Sequence, residues 1–309
     1  MRRVQNGRST EPTDITVAIA TADRPEALGR CLDAIAGGTA QPHEIVVVDQ
    51  SADDRSEAVV RERVDRGAAI RHVRQERLGL SASRNAGMAA ASTSLVAVMD
   101  DDCSPAKDWL DAISFAFSVA SRPDAVTGRV LPLGSEGYAV SSRTSPHAAE
   151  YRGRQLPWLV GTGANMAVGR DWWDRLGGYD ARLGVGTRGA AGEDLDFLHR
   201  LLRAGAVVRY EPKAVVYHER QTKARRRDTR SAYGRGVGAC CSAWLRNGDV
   251  SGLSILGHWV AMRGRLLAGA ARRRDWHLVE EELLVLRGTA GGLAYGARLH
   301  PIERGDSTL

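Results

Sequence analysis

The chain is short of several features that would settle its class at once. No run of about 18 uncharged apolar residues occurs, so no membrane-spanning helix is expected. The first residues, MRRVQNGRSTEPTD, are polar and lack the apolar stretch of a signal peptide. Cysteine is scarce: Cys31, Cys103, Cys240 and Cys241 fit no zinc-site spacing, and adjacent cysteines rarely bridge each other. They read as reduced thiols of a cytoplasmic protein. Aromatic residues make up only 6% of the chain. The interleaving of aromatic and basic residues typical of RNA-binding sheets is missing, which argues against a nucleic-acid partner. No internal repeat is present.

What remains is an ordinary globular composition. Of 309 residues, 43% are hydrophobic and 26% charged, enough for one large or two modest domains. The net charge of +6 is unevenly placed, with much of it in KARRRDTR (Lys223–Arg230) and RRR (Arg272–Arg274). Such runs are ordinarily solvated faces. The competing reading is an anionic partner, a phospholipid surface or a phosphorylated acceptor.

The first half alternates between two periods. Strands are expected at Ile15–Ala20, Glu44–Asp49, Ile70–Arg74, Ser94–Met99 and Asp124–Val130. Helices are expected between them at Pro25–Ala36, Arg55–Arg66, Ser81–Ala91 and Ala106–Val119. This alternation predicts βαβ units, and the unbroken apolar runs predict a parallel sheet covered on both faces. From Leu131 to Pro157 the pattern weakens into a Gly-, Ser- and Pro-rich excursion. Gly161–Gly169 reads as a further strand, Asp171–Asp180 as a short helix closed by glycine, and Leu195–Gly205 as an amphipathic helix. AVVRY and AVVYH read as two short strands. Arg225 to the C-terminus reads as helical and basic. The expected division is a disordered tail at 1–13, an α/β catalytic domain at 14–219 and a basic helical appendage at 220–309. Within the appendage, GLSILGHWVAMRGRLLAGAARRR (Gly252–Arg274) mixes apolar residues with arginines. It can lie in a membrane interface, pack on the catalytic domain or form a homodimer contact.

The chemistry gathers where strands end. VAVMDDDCSP (Val96–Pro105) runs four apolar residues into Asp100, Asp101 and Asp102. In open α/β sheets ligands bind beyond the carboxyl ends of the strands, so Asp49 and Asp100–Asp102 belong on one rim. If the strand direction persists, Asp100 and Asp102 share a side and Asp101 faces the other. Two carboxylates on one side suit a hard cation, Mn²⁺ or Mg²⁺, which would also relieve their repulsion. The bland alternative is a solvated turn capping the next helix.

Five segments occur in order: ATADRPEALGRCL, VVVDQS, RLGLSASRNAG, VMDDDCSP and GEDLDFLHRL. Together, over roughly Asp14–His218, they resemble the family-2 inverting glycosyltransferases of the GT-A fold. That fold is a Rossmann-like, mixed but mainly parallel sheet with flanking helices; a C-terminal helical appendage follows here. The resemblance implies transfer of a sugar from a nucleotide-diphosphate sugar to an acceptor hydroxyl. It places Thr21 and Arg24 beside the nucleotide, Asp49 on the base, and Arg84 near the base and diphosphate. Asp100, Asp101 and Asp102 match the family's DxD motif, where the middle or outer acids touch the ribose and the last, Asp102, binds metal, with Asp100 on the same side as a second ligand. Asp194 matches the catalytic base, with Glu193 beside it. His218 falls where some relatives carry an extra metal ligand, and Trp158 and Asn165 where the sugar and acceptor pocket is shaped. TAD (Thr21–Asp23) stands where relatives often have a TYN-like triplet.

The residues support the same division of labour. Inverting transfer needs a proton acceptor for the attacking hydroxyl and a stabiliser for the departing diphosphate. Glu193 and Asp194 also open a helix, where acids are favoured by the dipole alone. Asp196, two residues on, is expected to point away. GVGTRG (Gly184–Gly189) fits GxGxxG literally but follows no strand; it reads as a lid loop. GRGVG (Gly234–Gly238) reads as a site of close helix packing. His199, His258 and His277 have no ligand spacing, and Trp172 and Trp173 divide between core and sugar stacking. Two other functions stay open at this stage: a sugar-1-phosphate nucleotidyltransferase, and a non-catalytic sugar-nucleotide-binding protein. The expected setting is cytoplasmic, with peripheral contact to the inner membrane face as an extension of the basic C-terminal region.

Overall fold

The computed structural model describes Val4–Gln5, Arg8–Ser9 and Thr13–Leu299. Most of the tail expected at 1–13 lies outside the described residues. Its described part is the antiparallel pair β1 (Val4–Gln5) and β2 (Arg8–Ser9). The elements then run β3 (Ile15–Thr21), α1 (Pro25–Ala36), β4 (Glu44–Asp49), α2 (Arg55–Asp65), β5 (Ile70–Arg74), α3 (Leu80–Ala90), β6 (Leu95–Asp100), β7 (Cys103–Pro105), α4 (Trp109–Ser118) and β8 (Ala125–Pro132). They continue β9 (Ala149–Tyr151), α5 (Pro157–Val160), β10 (Met166–Gly169), α6 (Arg170–Leu176), α7 (Glu193–Arg203), β11 (Val208–His218), α8 (Lys223–Arg246), α9 (Ser251–Arg272) and α10 (Trp276–Gly296).

Nine strands form one mixed sheet in the order β5-β4-β3-β6-β10-β8-β11-β7, with β9 also paired to β11. β5, β4, β3 and β6 are parallel to one another. β10 runs antiparallel to both β6 and β8, so β8 and its parallel neighbour β11 point the same way as β6. The carboxyl ends of β3, β4, β6 and β11 therefore share one rim. The core lies on one sheet face, where Leu28, Leu32 and Ile35 of α1 and Trp109, Ile113 and Phe117 of α4 cover Val17, Ile19, Val47, Ala97 and Met99. Burying each such side chain contributes about 1.5–3 kcal/mol. On the other face Gly87 of α3 sits so close that a methyl group there would lie 3.1 Å from the Ala18 methyl.

Two compact units result. The first takes in the chain up to Leu78, Ala82–Gly178 and Leu198–Arg220; the second takes in Gly79–Ser81, Tyr179–Phe197 and everything from Gln221. The segment 179–197, read from sequence as part of the sheet domain, groups with the C-terminal helices.

The second unit is held by close approach rather than by bulk. A methyl group at Gly234, Gly238, Gly288, Gly292 or Gly296 would come within 2.0–2.2 Å of a carbonyl oxygen on the facing helix, α10 or α8. Glycine alone fits this seam, as GRGVG suggests. Arginines of α8 and α9 clasp acids of α10 beside it. Arg226 Nη2 donates to Glu281 at 2.7 Å, Arg230 pairs with Glu282, and Arg263 reaches Glu282 at 3.4 Å. The Arg263 guanidinium also lies 4.1 Å over the Trp259 ring. Thr222 and Asp275 cap α8 and α10 through bonds from Arg225 N and Leu278 N. Among the described residues no helix is long and apolar enough to cross a membrane.

The structure differs from the sequence expectation in three places. AVVRY and AVVYH are one strand, β11, with a bulge between Glu211 and Val215. Pro212 has no N–H for the ladder, and the bulge absorbs it. CSP forms the short strand β7 on the β11 edge, although its aspartate-rich approach reads as a loop. The excursion after β8 contains β9 and α5, too short to leave a period in the sequence. All four cysteines are free and buried.

Candidate functional site

The rim of the first unit is built by strand pairing. Asp100 is the last residue of β6; Asp101 and Asp102 form the turn into β7. β7 pairs antiparallel with β11 so that Cys103 faces His218. The ladder thus brings His218 to the carboxylates, its Nε2 3.6 Å from Asp102 Oδ1 and 4.0 Å from Asp100 Oδ2. His218 Nδ1 lies 2.9 Å from the Glu219 carbonyl oxygen, which can only accept. Nδ1 therefore donates to that carbonyl, which leaves Nε2 facing the acids.

Ligand atoms of Asp100, Asp102, Cys103 and His218 all lie within 4.8 Å of one another. Carboxylates and a correctly oriented imidazole fit a divalent ion of Mn²⁺ character, and the imidazole suits Mn²⁺ better than Mg²⁺. Cys103 is buried, and burial pushes its thiol well up, so it adds a neutral sulfur at the back. Its neighbourhood to the acids is a feature the sequence reading missed; its place three residues after Asp100 was the available signal.

Arginines meet the mutual repulsion of the acids within the chain itself. Arg84 Nη2 donates to Asp100 Oδ1 at 2.7 Å. Arg24 pairs with Asp101 and Asp102, both at 2.5 Å. Thr21 Oγ1 donates to Asp101 Oδ2 at 2.7 Å. Asp101 therefore faces Thr21 and Arg24, whereas Asp100 and Asp102 flank His218. Asp101 is fully buried, and burial raises its carboxyl to about 7 against the pull of Arg24. Arg84 is also buried; a methyl group at Gly163 would sit 2.5 Å from its Nη1, so only glycine leaves room for the guanidinium.

Beside this cluster the loops after β3 and β4 are stitched together by Asp23. Its backbone is left-handed, φ 57°, a conformation that Asp tolerates. Asp23 N donates to Ser51 Oγ at 2.9 Å, and its carboxylate accepts from Ala52 N at 2.7 Å and Arg77 Nη1 at 2.5 Å. That is the local use of TAD. Ser51, Ala52 and Arg77, with Gln50, Arg74, Gln75 and Glu76, line an open cleft of about 430 Å³. Asp49 supports it from behind: fully buried, it accepts from Ser51 N at 2.8 Å, His72 Nε2 at 3.1 Å and Arg74 Nη1 at 3.4 Å.

Asn165 corrects the sequence reading. It was placed in the sugar and acceptor pocket, but it is 1% exposed. Its Nδ2 donates to the Arg129 and Ala214 carbonyls at 2.9 and 2.8 Å, and its Oδ1 accepts from Trp109 Nε1 at 2.9 Å. An amide so fully engaged ties β8, β11 and α4 together. Trp158 is half-buried in α5. Trp172 and Trp173 are buried and donate to Asp124 and Asn85, which makes them core.

Glu193 and Asp194 belong to the second unit and open α7. Glu193 is buried and Asp194 half-buried; Asp194 Oδ1 accepts from Leu195 N at 2.8 Å. The preceding loop is fixed by Thr187 Oγ1, which donates to the Arg182 and Gly184 carbonyls, and by Leu80 N, which donates to Val185 O. Its end rests on α8, where a methyl group at Gly236 would lie 2.6 Å from the Ala191 carbonyl carbon. Asp196 is a second correction. It is expected to be of little consequence, but it is buried and accepts from Trp244 Nε1 at 2.8 Å, which anchors the start of α7 to α8.

Known proteins with this fold and sequence pattern give the class. Residues 16–174, just over half of the chain, match the sequence profile of glycosyl transferase family 2, and the chain belongs to that family. The chain is 28% identical over 241 residues to a pre-mycofactocin glycosyltransferase of Mycobacterium tuberculosis; the match takes in 68% of this chain and 49% of that protein, about half its length. It is 24% identical over 225 residues to a glucosyl-dolichyl phosphate glucuronosyltransferase of Haloferax volcanii, covering 66% and 68%. Among solved structures, a mannosyltransferase of Pyrobaculum calidifontis in complex with GDP-mannose and Mn²⁺ superposes with a TM-score of 0.61 at 16% identity, over 92% of this chain and 88% of that one. Staphylococcus aureus TarS (residues 1–349) gives 0.59 at 13% identity, over 92% and 89%. These likenesses establish the GT-A fold. The family match ends before α7 and β11, so Glu193, Asp194 and His218 stand on their own geometry.

Proposed function

We propose that the protein is a metal-dependent inverting glycosyltransferase that moves a sugar from a nucleotide-diphosphate sugar to an acceptor hydroxyl. The observation that carries this reading is the grouping of Asp100, Asp102 and His218 Nε2 at the carboxyl rim of the sheet. Two acids and one imidazole make a site for one dication, with Mn²⁺ favoured over Mg²⁺ by the imidazole. When bound, the ion supplies positive charge to the diphosphate as it leaves.

The chain's own residues supply the rest. Arg24 and Arg84 bring two guanidiniums to the same rim, suited to orienting phosphate oxygens. The cleft beside Gln50, Gln75 and Arg77 has the size to take a base. Thr21 and Arg24 fix Asp101, which keeps the turn in shape while Asp100 and Asp102 bind. Asp194 takes the proton from the attacking hydroxyl, with Glu193 beside it. In support, Asp194 is partly exposed and sits at a helix start held by Gly236 and Trp244.

Asp194→Asn keeps the shape of the side chain and removes the basic oxygen. Turnover with a panel of UDP-, GDP- and dTDP-sugars should fall by roughly 10²- to 10⁴-fold, while donor binding by calorimetry in Mn²⁺ stays as in the native chain. Near-normal turnover, or a loss explained wholly by weaker donor binding, rejects Asp194 as the base.

A further inference from the structure

Large apolar side chains stand open at several points of the second unit, Val185, Val250, Leu266 and Leu283 among them, and a further group lies along α9 and at the start of α10. Leu253 is 65% exposed on α9, Val260 follows on the same helix, and Trp276 at the start of α10 is 68% exposed. Along α9, Leu253, Gly257, Val260, Gly264, Leu267 and Ala271 recur at alternating spacings of four and three, which puts them on one side of the helix. All but the half-buried Leu267 are exposed. A methyl group at Gly257 or Gly264 would meet nothing within 4 Å, so no part of the described chain covers the strip.

The charge beside that strip has one sign. From Ser251 to Arg274 the sequence holds no Asp or Glu. Arg265, Arg272, Arg273 and Arg274 are exposed and form no ion pair with a described residue, unlike Arg226, Arg227, Arg230 and Arg263, which all find acids on α10. Arg274 turns the corner between the helices with a left-handed backbone, φ 56°. Asp275, the next residue, gives its carboxylate to the α10 cap. The corner therefore presents three unpaired guanidiniums and an open indole within five consecutive residues, at the end of an apolar strip.

We infer that the α9–α10 corner docks on the surface of an anionic bilayer. Arg272, Arg273 and Arg274 meet lipid phosphates, Trp276 sits at the headgroup level, and Leu253 and Val260 dip to the acyl boundary with α9 lying in the plane. Charge complementarity selects this occupant. A second copy seated on the same strip would set arginines against arginines, because no acid lies between Ser251 and Arg274 to answer them. The inference stands apart from the transfer reaction, since it uses no residue of the rim.

The test uses the full chain and vesicles of phosphatidylglycerol or of phosphatidylcholine. Native protein should sediment with phosphatidylglycerol at low salt, less at moderate salt, and not with phosphatidylcholine. Tryptophan emission should shift to the blue on binding, and Trp276→Ser should remove the shift and weaken binding about tenfold. Arg272→Gln, Arg273→Gln and Arg274→Gln together should weaken it about 100-fold. All four residues are exposed, so circular dichroism should report unchanged folding. Three outcomes overturn the inference: no sedimentation of native chain with phosphatidylglycerol at low salt, equal binding by the triple variant, or binding without any Trp276-dependent shift. A fourth is a dimer in velocity sedimentation that Val260→Glu dissociates and lipid does not, which would assign the strip to a second copy.

Discussion

The strand rim of the first unit and the helix bundle of the second both crowd carboxylates against arginines, and they resolve the crowding in opposite ways. On the rim, three aspartates face Arg24 and Arg84, one histidine stands beside them, and Arg24 remains about one third exposed. Carboxylates outnumber guanidiniums there by three to two. In the bundle, Glu281 and Glu282 are almost fully buried and are met by Arg226, Arg230 and Arg263. There guanidiniums outnumber these carboxylates by three to two, and both carboxylates have their partners. Similar residues thus make a candidate ligand site in one unit and a structural clasp in the other. The difference lies in the surplus charge and its access to solvent rather than in residue type.

Breaking the clasp should produce the largest effect. Glu282→Gln leaves Arg230 and Arg263 short of their buried counter-charge and should cost about 3–5 kcal/mol. Urea unfolding followed by circular dichroism measures this; a loss below about 1 kcal/mol would mean the pair is solvated like a surface bridge. The glycine seam ranks next. Gly292→Ala puts a methyl group against the Arg235 carbonyl and should cost about 1–3 kcal/mol through forced separation of α8 and α10. Gly257→Ala, with open space above it, is the matched control and should not destabilise. The rim variant should have the smallest effect on stability. Asp102→Asn relieves repulsion while loosening Arg24, so apo stability should change by less than about 1 kcal/mol. Mn²⁺ should raise the Tm of the native chain and leave that of the variant unchanged. Calorimetry with and without Mn²⁺ decides this, and a retained shift would remove Asp102 from the metal site.

How much could be read in advance follows the same line. The parallel half was legible because ITVAIA, EIVVVD and SLVAVM are apolar on both sides, a pattern only a covered strand needs. Acids at the ends of such strands stand out for that reason. Asn165 and Asp196 were misplaced because a polar side chain bound in a core looks, in sequence, like one in a pocket. The partners that distinguish them, Trp109 and Trp244, lie far away in the chain. Gly288, Gly292 and Gly296 give no periodic apolar signal, since the seam works by what is missing from the side chain. The halves of β11 were split because Pro212 ends a hydrogen-bond pattern without ending the strand.

The pairing of Cys103 with His218 has a consequence for how this chain can vary. The imidazole reaches the aspartates through a ladder position, not through chain length, so the long connection between β7 and β11 can gain or lose loop residues without moving it. A single residue inserted between Val215 and Tyr217 is another matter. Sheet alternation would then carry the ring to the opposite face and bring Tyr217 to the register of Cys103. Natural length changes in relatives that keep this histidine are therefore expected in the 133–148 excursion and the glycine-rich loop before α7, and not in the last turn of ladder before the rim.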